Sequence, residues 1–298
     1  MFNVDAIGLI RLKGTDGLDL LNRLSTNLVF PLEEYSWCDT VLTSEKGRII
    51  DVLRVCNFGE FIFLRTSKSR EKIVIDWIEK YNFDEDVELE LVTADFALLS
   101  IFQNPDSDGS IFGHSFEALE FCREFQITKN EFTGIYLPNI LNLAGGDLLV
   151  KASEIDYWKG KLIHSDVQEM KNESFDLLRI MQKFPIWDKE LSDQINPLEA
   201  GLEKFINFEK GCYIGQEVIA RLDTYDKLKK KLYLVEIIGE YLEFGTKLLV
   251  DDNYAGEITS CSSIEINNKR FGLAYIYKKY LDVKEFLVPS LNTVVQIS

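Results

Sequence analysis

Short runs of Val, Ile, Leu and Phe, bounded by glycine or polar residues, dominate the N-terminal part of the chain and predict a series of strands. The predicted strands of this part are 6–12, 37–43, 48–56, 60–66, 87–92 and 97–102. Turn-forming segments at 44–47 and 57–59 separate consecutive runs, so we expect an antiparallel meander. Apolar residues recur at helical spacing after Thr15, a predicted helix N-cap, and again over 68–81.

The middle of the chain predicts more helix than strand. Helices are predicted at 115–125, 153–163 and 174–183, the last two with a serine at the capping position, and a strand at 135–142. The pattern then changes after Tyr225. Strand-like runs separated by polar turns occur at 232–238, 247–250, 257–261, 264–266, 271–276 and 293–297. We therefore predict a small all-β domain, a barrel, over 229–298, after a larger α+β region over 1–228.

Net charge limits the partners that the chain attracts. The 298 residues include 49 acidic and 33 basic ones, for a net charge of −16. Such a chain repels nucleic acid and anionic membranes, so direct binding to either is not expected. One basic run, 227–231 with Arg221 upstream, is either a solvated strand end or an anion site. No apolar run reaches membrane-spanning length and the first residues do not read as a signal peptide, so we expect a cytoplasmic protein.

Cysteine and histidine spacing argues against disulfides and metals. The five cysteines contain no C-x-x-C pair and their number is odd, which favours a reducing compartment. The two histidines lack metal-site spacing, so no metal site is predicted. The cysteines are Cys38, Cys56, Cys122, Cys212 and Cys261.

Cys212 lies in the most distinctive segment of the chain, residues 210–217, which read KGCYIGQE. Gly211 and Gly215 allow unusual backbone angles, and the residues after Gly215 predict a helix start. A helix N-terminus and Lys210 both favour a thiolate. The segment therefore predicts a reactive, accessible thiol, and the alternative is a small buried side chain.

Asp51 is the second candidate. It lies in an apolar run, and strand alternation predicts that it shares a face with Ile49 and Leu53. A carboxyl among apolar neighbours is paired or has a raised pKa, which suits a ligand contact or a weak base. The alternative is an edge position that faces water.

A family resemblance runs through much of the chain. Segment 210–217 resembles the K-G-C-Y-x-G-Q-E signature of the YgfZ family, whose members look like the T-protein (aminomethyltransferase) of glycine cleavage. The other matching segments are 12–27, 43–55, 178–202, 256–260 and 271–274. The resemblance implies an α+β folate-binding region and a C-terminal antiparallel β-barrel packed around a central cavity. It also implies tetrahydrofolate or a derivative as cofactor.

The resemblance further implies roles for individual residues. Asp51 and Cys212 are the implied catalytic residues, with the pterin near Asp51 and Asn27. The implied folate-binding residues are Asn27, Asp51, Glu190, Glu199, Lys210, Gln216 and Arg221. The implied function is that of an accessory protein, with iron–sulfur enzymes or assembly factors as partners and an indirect effect on tRNA modification.

Three departures separate the chain from T-protein. Met181 stands where T-protein has a glutamate that grips the pterin, and a thioether cannot replace those hydrogen bonds. T-protein has two adjacent acids where this chain has Asp51 followed by Val52, and it lacks the cysteine at 212. These differences favour the YgfZ branch. A tetrahydrofolate-dependent aminomethyltransferase or demethylase stays the alternative, and a scaffold with an empty cavity is a third hypothesis.

Overall fold

The computed structural model of the protein describes residues 1–5, 7–102, 135–138, 140–141, 145–225, 227–288, 291 and 293–298. The predicted helix 115–125 and Cys122 lie outside the described residues. The described chain divides into two compact units. The smaller unit contains Met1–Ile7 and Val92–Asp176, and the larger contains Gly8–Leu91 and Leu177–Ser298. The predicted division of the chain at residues 228 and 229 stays a prediction.

The described residues form fifteen strands and five α-helices, with short 3₁₀ turns between them. The strands are β1 (Phe2–Asp5), β2 (Gly8–Lys13), β3 (Ser36–Thr43), β4 (Ile49–Asn57), β5 (Ile62–Thr66), β6 (Glu88–Leu91), β7 (Phe96–Phe102), β8 (Ile135–Pro138), β9 (Gly145–Lys151), β10 (Lys230–Ile238), β11 (Lys247–Val250), β12 (Asn253–Ile266), β13 (Lys269–Tyr277), β14 (Phe286–Leu287) and β15 (Val294–Ile297). The helices are α1 (Gly17–Leu24), α2 (Glu71–Glu79), α3 (Ile155–His164), α4 (Asn172–Met181) and α5 (Gln216–Thr224). Within the described part of the chain, no helix is long and apolar enough to cross a membrane.

The smaller unit is built on an antiparallel sheet in the order β1-β7-β9-β8. Its core joins Phe2, Leu99 and Leu148 from the sheet to Trp158 and Leu162 from α3. The sequence pattern did not predict β9, because the strand opens on two glycines and an aspartate. At Gly145 a Cβ atom would lie 2.0 Å from the Ile101 carbonyl oxygen, so close strand approach requires the glycine.

The larger unit contains a five-stranded sheet in the order β3-β4-β5-β2-β6. Helices α1 and α2 cover one face through a cluster that includes Leu20, Leu53 and Val74. The strand positions match the predicted meander, but Thr15 is not the N-cap of α1. Asp16 takes that place, because the Thr15 N–H and hydroxyl both donate to Asp86 Oδ2, at 2.9 and 3.1 Å.

A bulge in β4 changes the predicted faces of the strand. The pairing with β3 slips between Leu42 and Thr43, so that Leu42 faces Asp51 while Thr43 faces Ile49. Ile49 consequently packs in one hydrophobic cluster with Val52, whereas Leu53 belongs to the cluster under α1 and α2. The expectation that Ile49 shares a face with Leu53 is therefore wrong, since the bulge between Ile49 and Asp51 breaks the alternation of side chains.

The C-terminal strands close into a barrel in the order β10-β13-β12-β11-β14-β15, which confirms the predicted barrel. The two predicted strands 257–261 and 264–266 are parts of one strand, β12, whose pairing with β13 is irregular after Ile258 and after Cys261. The sequence did not predict β14, which is two residues long. The α+β architecture with a C-terminal antiparallel barrel agrees with the sequence prediction.

Helix α4 ends in a left-handed residue that is not glycine. The Lys183 N–H donates to Ile180 O at 2.9 Å and the Phe184 N–H to Arg179 O at 2.8 Å, the two bonds of a Schellman motif. Lys183 has φ +53°. The predicted serine caps are absent, since α3 has Glu154 at its N-cap and Ser174 lies inside α4.

We expect Lys183→Gly to raise the free energy of unfolding by about 0.5–1 kcal/mol, because glycine adopts positive φ without the Cβ clash. Urea denaturation measures the change. The matched control is Lys72→Gly in the first turn of α2, where the same substitution lowers stability by up to about 1 kcal/mol. Equal losses in both variants would contradict the assignment of strain to Lys183.

Candidate functional site

A buried carboxyl group marks the candidate site. The Asp51 side chain is 0% exposed. Its Oδ2 accepts a hydrogen bond of 2.9 Å from the Ser67 backbone N–H, and its Oδ1 accepts one of 2.7 Å from Trp187 Nε1. Burial raises the pKa of Asp51, although the bonds from Ser67 and Trp187 oppose the rise. The edge position in water, the alternative drawn from sequence, is therefore wrong.

Three separate segments build this site. Asp51 follows the bulge of β4, Ser67 comes directly after β5, and Trp187 lies beyond α4. Arg70 precedes α2 and stacks on the Trp187 ring, with its Cζ 3.6 Å from the ring centroid. Its Nη2 donates to Ile50 O at 2.8 Å, which ties the guanidinium to β4.

Burial changes the acid–base properties of Asp51. A carboxyl with a raised pKa exchanges a proton closer to neutral pH than an ordinary carboxyl does, and it hydrogen-bonds N–H groups in its ionised form. Asp51 is thus able to serve as ligand or as a weak acid or base. Sequence reasoning did not identify Ser67, Arg70 or the Trp187 N–H as contributors to the site.

The raised pKa makes a prediction about stability. Below the ordinary pKa of an aspartate, about 3.9, Asp51 is protonated in both folded and unfolded protein. As pH rises, the unfolded chain loses the proton first, so ionisation removes stability until the raised folded pKa is passed. We therefore expect wild type to lose stability relative to Asp51→Asn as pH increases from about 4.

Urea denaturation of both proteins at several pH values between 4 and 8 measures this difference. Asp51→Asn also turns an amide NH₂ group toward donors such as Ser67 N–H or Trp187 Nε1, and this penalty does not depend on pH. The slope of the difference against pH, rather than its absolute size, is the test. A flat difference would show that Asp51 has no raised pKa.

Lys210 of the signature segment points inward. Its Nζ donates to three carbonyl oxygens, those of Asn22 at 2.7 Å, Ser25 at 2.9 Å and Asn27 at 2.6 Å. These carbonyls lie at and just beyond the C-terminal end of α1, where a cation is favoured. Burial lowers the pKa of Lys210 to about 8. The ammonium has three N–H donors, and all three are used within the protein. The implied contact between Lys210 and folate stays a prediction, and no N–H of the ammonium is free to make it.

Replacement of this ammonium should be costly. We expect Lys210→Met to lower the free energy of unfolding by about 2 kcal/mol or more, because carbonyls at the end of α1 lose a charged donor. The control is Lys229→Met, which removes an exposed lysine and should change stability by no more than about 0.5 kcal/mol. Chemical denaturation compares the two variants. Equal stability of wild type and Lys210→Met would refute the capping role.

Cys212 is exposed, as an accessible thiol requires. Gly211, beside it, has no atom within 4 Å of the position that a Cβ would take. Gly215 is the N-cap of α5 with φ +84°, and a Cβ there would lie 2.5 Å from Ser44 O in the β3–β4 turn. Gly211 thus leaves space on one side of the loop, and Gly215 lets the other side pack against the β3–β4 hairpin. The alternative of a buried side chain at 212 does not hold.

The other signature residues lie on α5. Gln216 Nε2 donates a long hydrogen bond of 3.5 Å to Lys210 O, which closes the loop around Cys212. Arg221 is exposed, and no described carboxylate forms a salt bridge with it. Their implied contacts with folate stay predictions.

Glu190 forms part of a buried polar network. Its Oε2 accepts from Arg179 Nη1 at 3.2 Å and from the Ile186 N–H at 3.0 Å, and its Oε1 accepts from Ser260 Oγ at 2.5 Å. Arg179 also donates to Ser260 Oγ at 2.7 Å. Because Ser260 lies in the barrel strand β12, the network joins α4 to the barrel. These contacts give the carboxylate a structural role, and its contact with folate stays a prediction.

Glu199 and Asn27 are also engaged locally. Glu199 and Asn196 form a reciprocal capping box, in which Oε2 of Glu199 accepts from the Asn196 N–H at 3.1 Å and Oδ1 of Asn196 accepts from the Glu199 N–H at 2.9 Å. Asn27 Nδ2 donates to Asp39 O at 2.8 Å, and Asn27 Oδ1 accepts from the Leu28 N–H at 2.8 Å. The implied contacts of Glu199 and Asn27 with folate stay predictions.

Comparison with known proteins relates the chain to aminomethyltransferases. The family model described as the GCVT N-terminal domain matches residues 1–109. A chloroplastic transferase-like protein of Arabidopsis thaliana is 29% identical over 91% of this chain, which spans only 64% of that relative's length. The aminomethyltransferase of Caldanaerobacter subterraneus subsp. tengcongensis is 26% identical, over 95% of this chain and 78% of its own length.

A solved structure extends the likeness to the fold. The glycine cleavage system aminomethyltransferase T from Bartonella henselae aligns with a TM-score of 0.78, over 99% of this chain and 84% of that chain, at 14% identity. This chain has the T-protein fold. At this identity the likeness establishes the architecture alone, and the chemistry of the site has to be argued from its residues.

Proposed function

We propose that the protein binds a reduced folate, tetrahydrofolate or a derivative, with the pterin at Asp51, and supports the assembly or repair of iron–sulfur enzymes as an accessory protein. The observation that carries the proposal is the buried Asp51 carboxyl, held by Trp187 and Ser67 in a chain with the T-protein fold. Effects on tRNA modification are then indirect, through an iron–sulfur client, because a chain of net charge −16 repels RNA.

Folate is the ligand class that this site suits. A reduced pterin carries ring N–H groups, and a carboxylate accepts hydrogen bonds from such groups. The relatives with the same overall architecture are named aminomethyltransferases, and the resemblance of the signature segment implies a folate cofactor. The proposal places the pterin at Asp51, where the resemblance implies it. The carboxylates of Glu190 and Glu199, like that of Asp51, already accept hydrogen bonds within the fold.

The accessory role rests on Met181 and Cys212. Met181 stands where the T-protein resemblance implies a pterin-binding glutamate, and its side chain offers no comparable acceptor. Cys212 is exposed on a loop whose lysine is committed to the end of α1. A thiol presented in this way is accessible to a cluster-bearing client, whether it acts on a one-carbon adduct or protects a cluster intermediate. One cysteine supplies only part of a cluster's ligation.

Aminomethyl transfer or demethylation is the second candidate. The names of the relatives favour it, and so does the raised pKa of Asp51, which would let this carboxyl exchange a proton during transfer. Met181 weighs against it for the reason given above. Turnover of an aminomethyl or methylamine donor with tetrahydrofolate would move the assignment to this second candidate.

The decisive measurement is calorimetric titration of the wild-type protein with tetrahydrofolate and with folinic acid. We expect Asp51→Asn to weaken binding at least tenfold, about 1.4 kcal/mol, because one acceptor for the pterin is lost. Cys212→Ala should bind folate as wild type does, yet fail to restore iron–sulfur enzyme activity in a deletion strain.

Each part of the proposal has its own refutation. If neither tetrahydrofolate nor folinic acid binds to the wild-type protein, the proposed folate binding is wrong and the scaffold hypothesis is favoured. If Cys212→Ala restores iron–sulfur enzyme activity fully, the thiol has no part in the accessory function. Equal folate affinities of wild type and Asp51→Asn would move the pterin away from Asp51.

A further inference from the structure

Arg70 links the indole of Trp187 to the backbone of β4. Its guanidinium stacks on the ring at 3.6 Å, and its Nη2 donates to the Ile50 carbonyl at 2.8 Å. The carbonyl bond fixes the plane of the guanidinium relative to β4, the strand that carries Asp51. The Arg70 Nε is buried without a hydrogen-bond partner among the described residues, which is a cost that stacking has to offset.

The indole of Trp187 has a single N–H group, and the orientation of the ring decides whether this group reaches Asp51. The Nε1–H donates to Asp51 Oδ1 at 2.7 Å, so any rotation of the indole removes a donor from a buried carboxyl. The Trp187 ring is only half-buried, and the guanidinium covers one of its faces. Without that cover, the ring would gain freedom to turn away from Asp51.

We propose that Arg70 is a positioning residue, which holds the Trp187 indole so that its N–H fixes the Asp51 carboxyl in the orientation that binds the pterin. This inference rests on the proposed folate function. Arg70 acts through Trp187 and not by touching the ligand. A carboxyl held by Ser67 and Trp187 loses fewer degrees of freedom when the pterin binds, which raises affinity.

The charge of Arg70 has to be separated from its shape. Three carboxyl groups interact electrostatically with the guanidinium, those of Asp51, Asp188 and Asp193. Arg70→Lys keeps the positive charge and loses the flat group that covers the ring. Trp187→Phe keeps a ring and loses the N–H donor. The first substitution therefore removes the group that covers the indole, and the second removes the N–H that bonds Asp51. Neither changes the local charge.

The test is a double-mutant cycle on folate affinity, measured by titration with tetrahydrofolate. We expect Arg70→Lys to weaken binding about tenfold in the wild-type background and less than about twofold in the Trp187→Phe background. Lys72→Met, which removes an exposed cation two residues away, is the control and should change affinity less than about twofold. Equal effects of Arg70→Lys in both backgrounds would overturn the proposal.

A second readout needs no ligand. Loss of the hydrogen bond from Trp187 should raise the pKa of Asp51 further. The pH range over which the unfolding free energy falls should therefore extend to higher pH in Arg70→Lys and in Trp187→Phe. The double variant should show no larger extension than Trp187→Phe alone. Additive shifts would overturn the positioning role. If wild type bound no folate and these shifts were nevertheless non-additive, the folate function would fail while the positioning of Asp51 by Arg70 would stand.

Discussion

A carboxyl group removed from water is the constraint around which this structure is organised. Ionisation of Asp51 without compensating donors would cost several kcal/mol, so the fold has to bring N–H groups to both of its oxygens. Strand β4 brings none through its own side chains at this position. Besides the Val52 backbone of β4 itself, the donors come from Ser67, directly after β5, and from Trp187, beyond α4. Hydrophobic clusters cover the two faces of the sheet and hold both segments.

The signature segment divides its polar groups between the interior and the surface. From sequence, Lys210 was expected to favour a thiolate at Cys212. In the structure the ammonium is buried and bonded to three carbonyls, so its charge is largely balanced by the end of α1. The lysine therefore anchors the loop, and the exposed Cys212 thiol is accessible to other molecules. The signature segment thus combines a structural residue, Lys210, with an accessible one, Cys212.

Local patterns predicted most of the elements, and long-range contacts decided the site. Strands β3 to β5 follow from short apolar runs separated by turns. The β4 bulge did not, because it depends on how a neighbouring strand pairs. Asp51 was found because a lone acid in an apolar run is unusual, but its partners lie 16 and 136 residues away in sequence. Lys210 shows the same limit, since an ammonium bound by carbonyls of another segment looks like any lysine in the sequence.

The β3–β4 hairpin connects the two candidate residues, Asp51 and Cys212. The hairpin carries Asp51 near the start of its second strand. Its first strand ends at Thr43, whose Oγ1 donates to Ile214 O at 2.6 Å in the loop of Cys212. Met181 lies elsewhere, at the exposed end of α4, and is 38% exposed. A glutamate or a methionine would fit that surface equally well, so the fold does not require methionine there. Packing therefore does not choose between the two residues at position 181, and the effect of Met181 on ligand chemistry stays part of the proposed function.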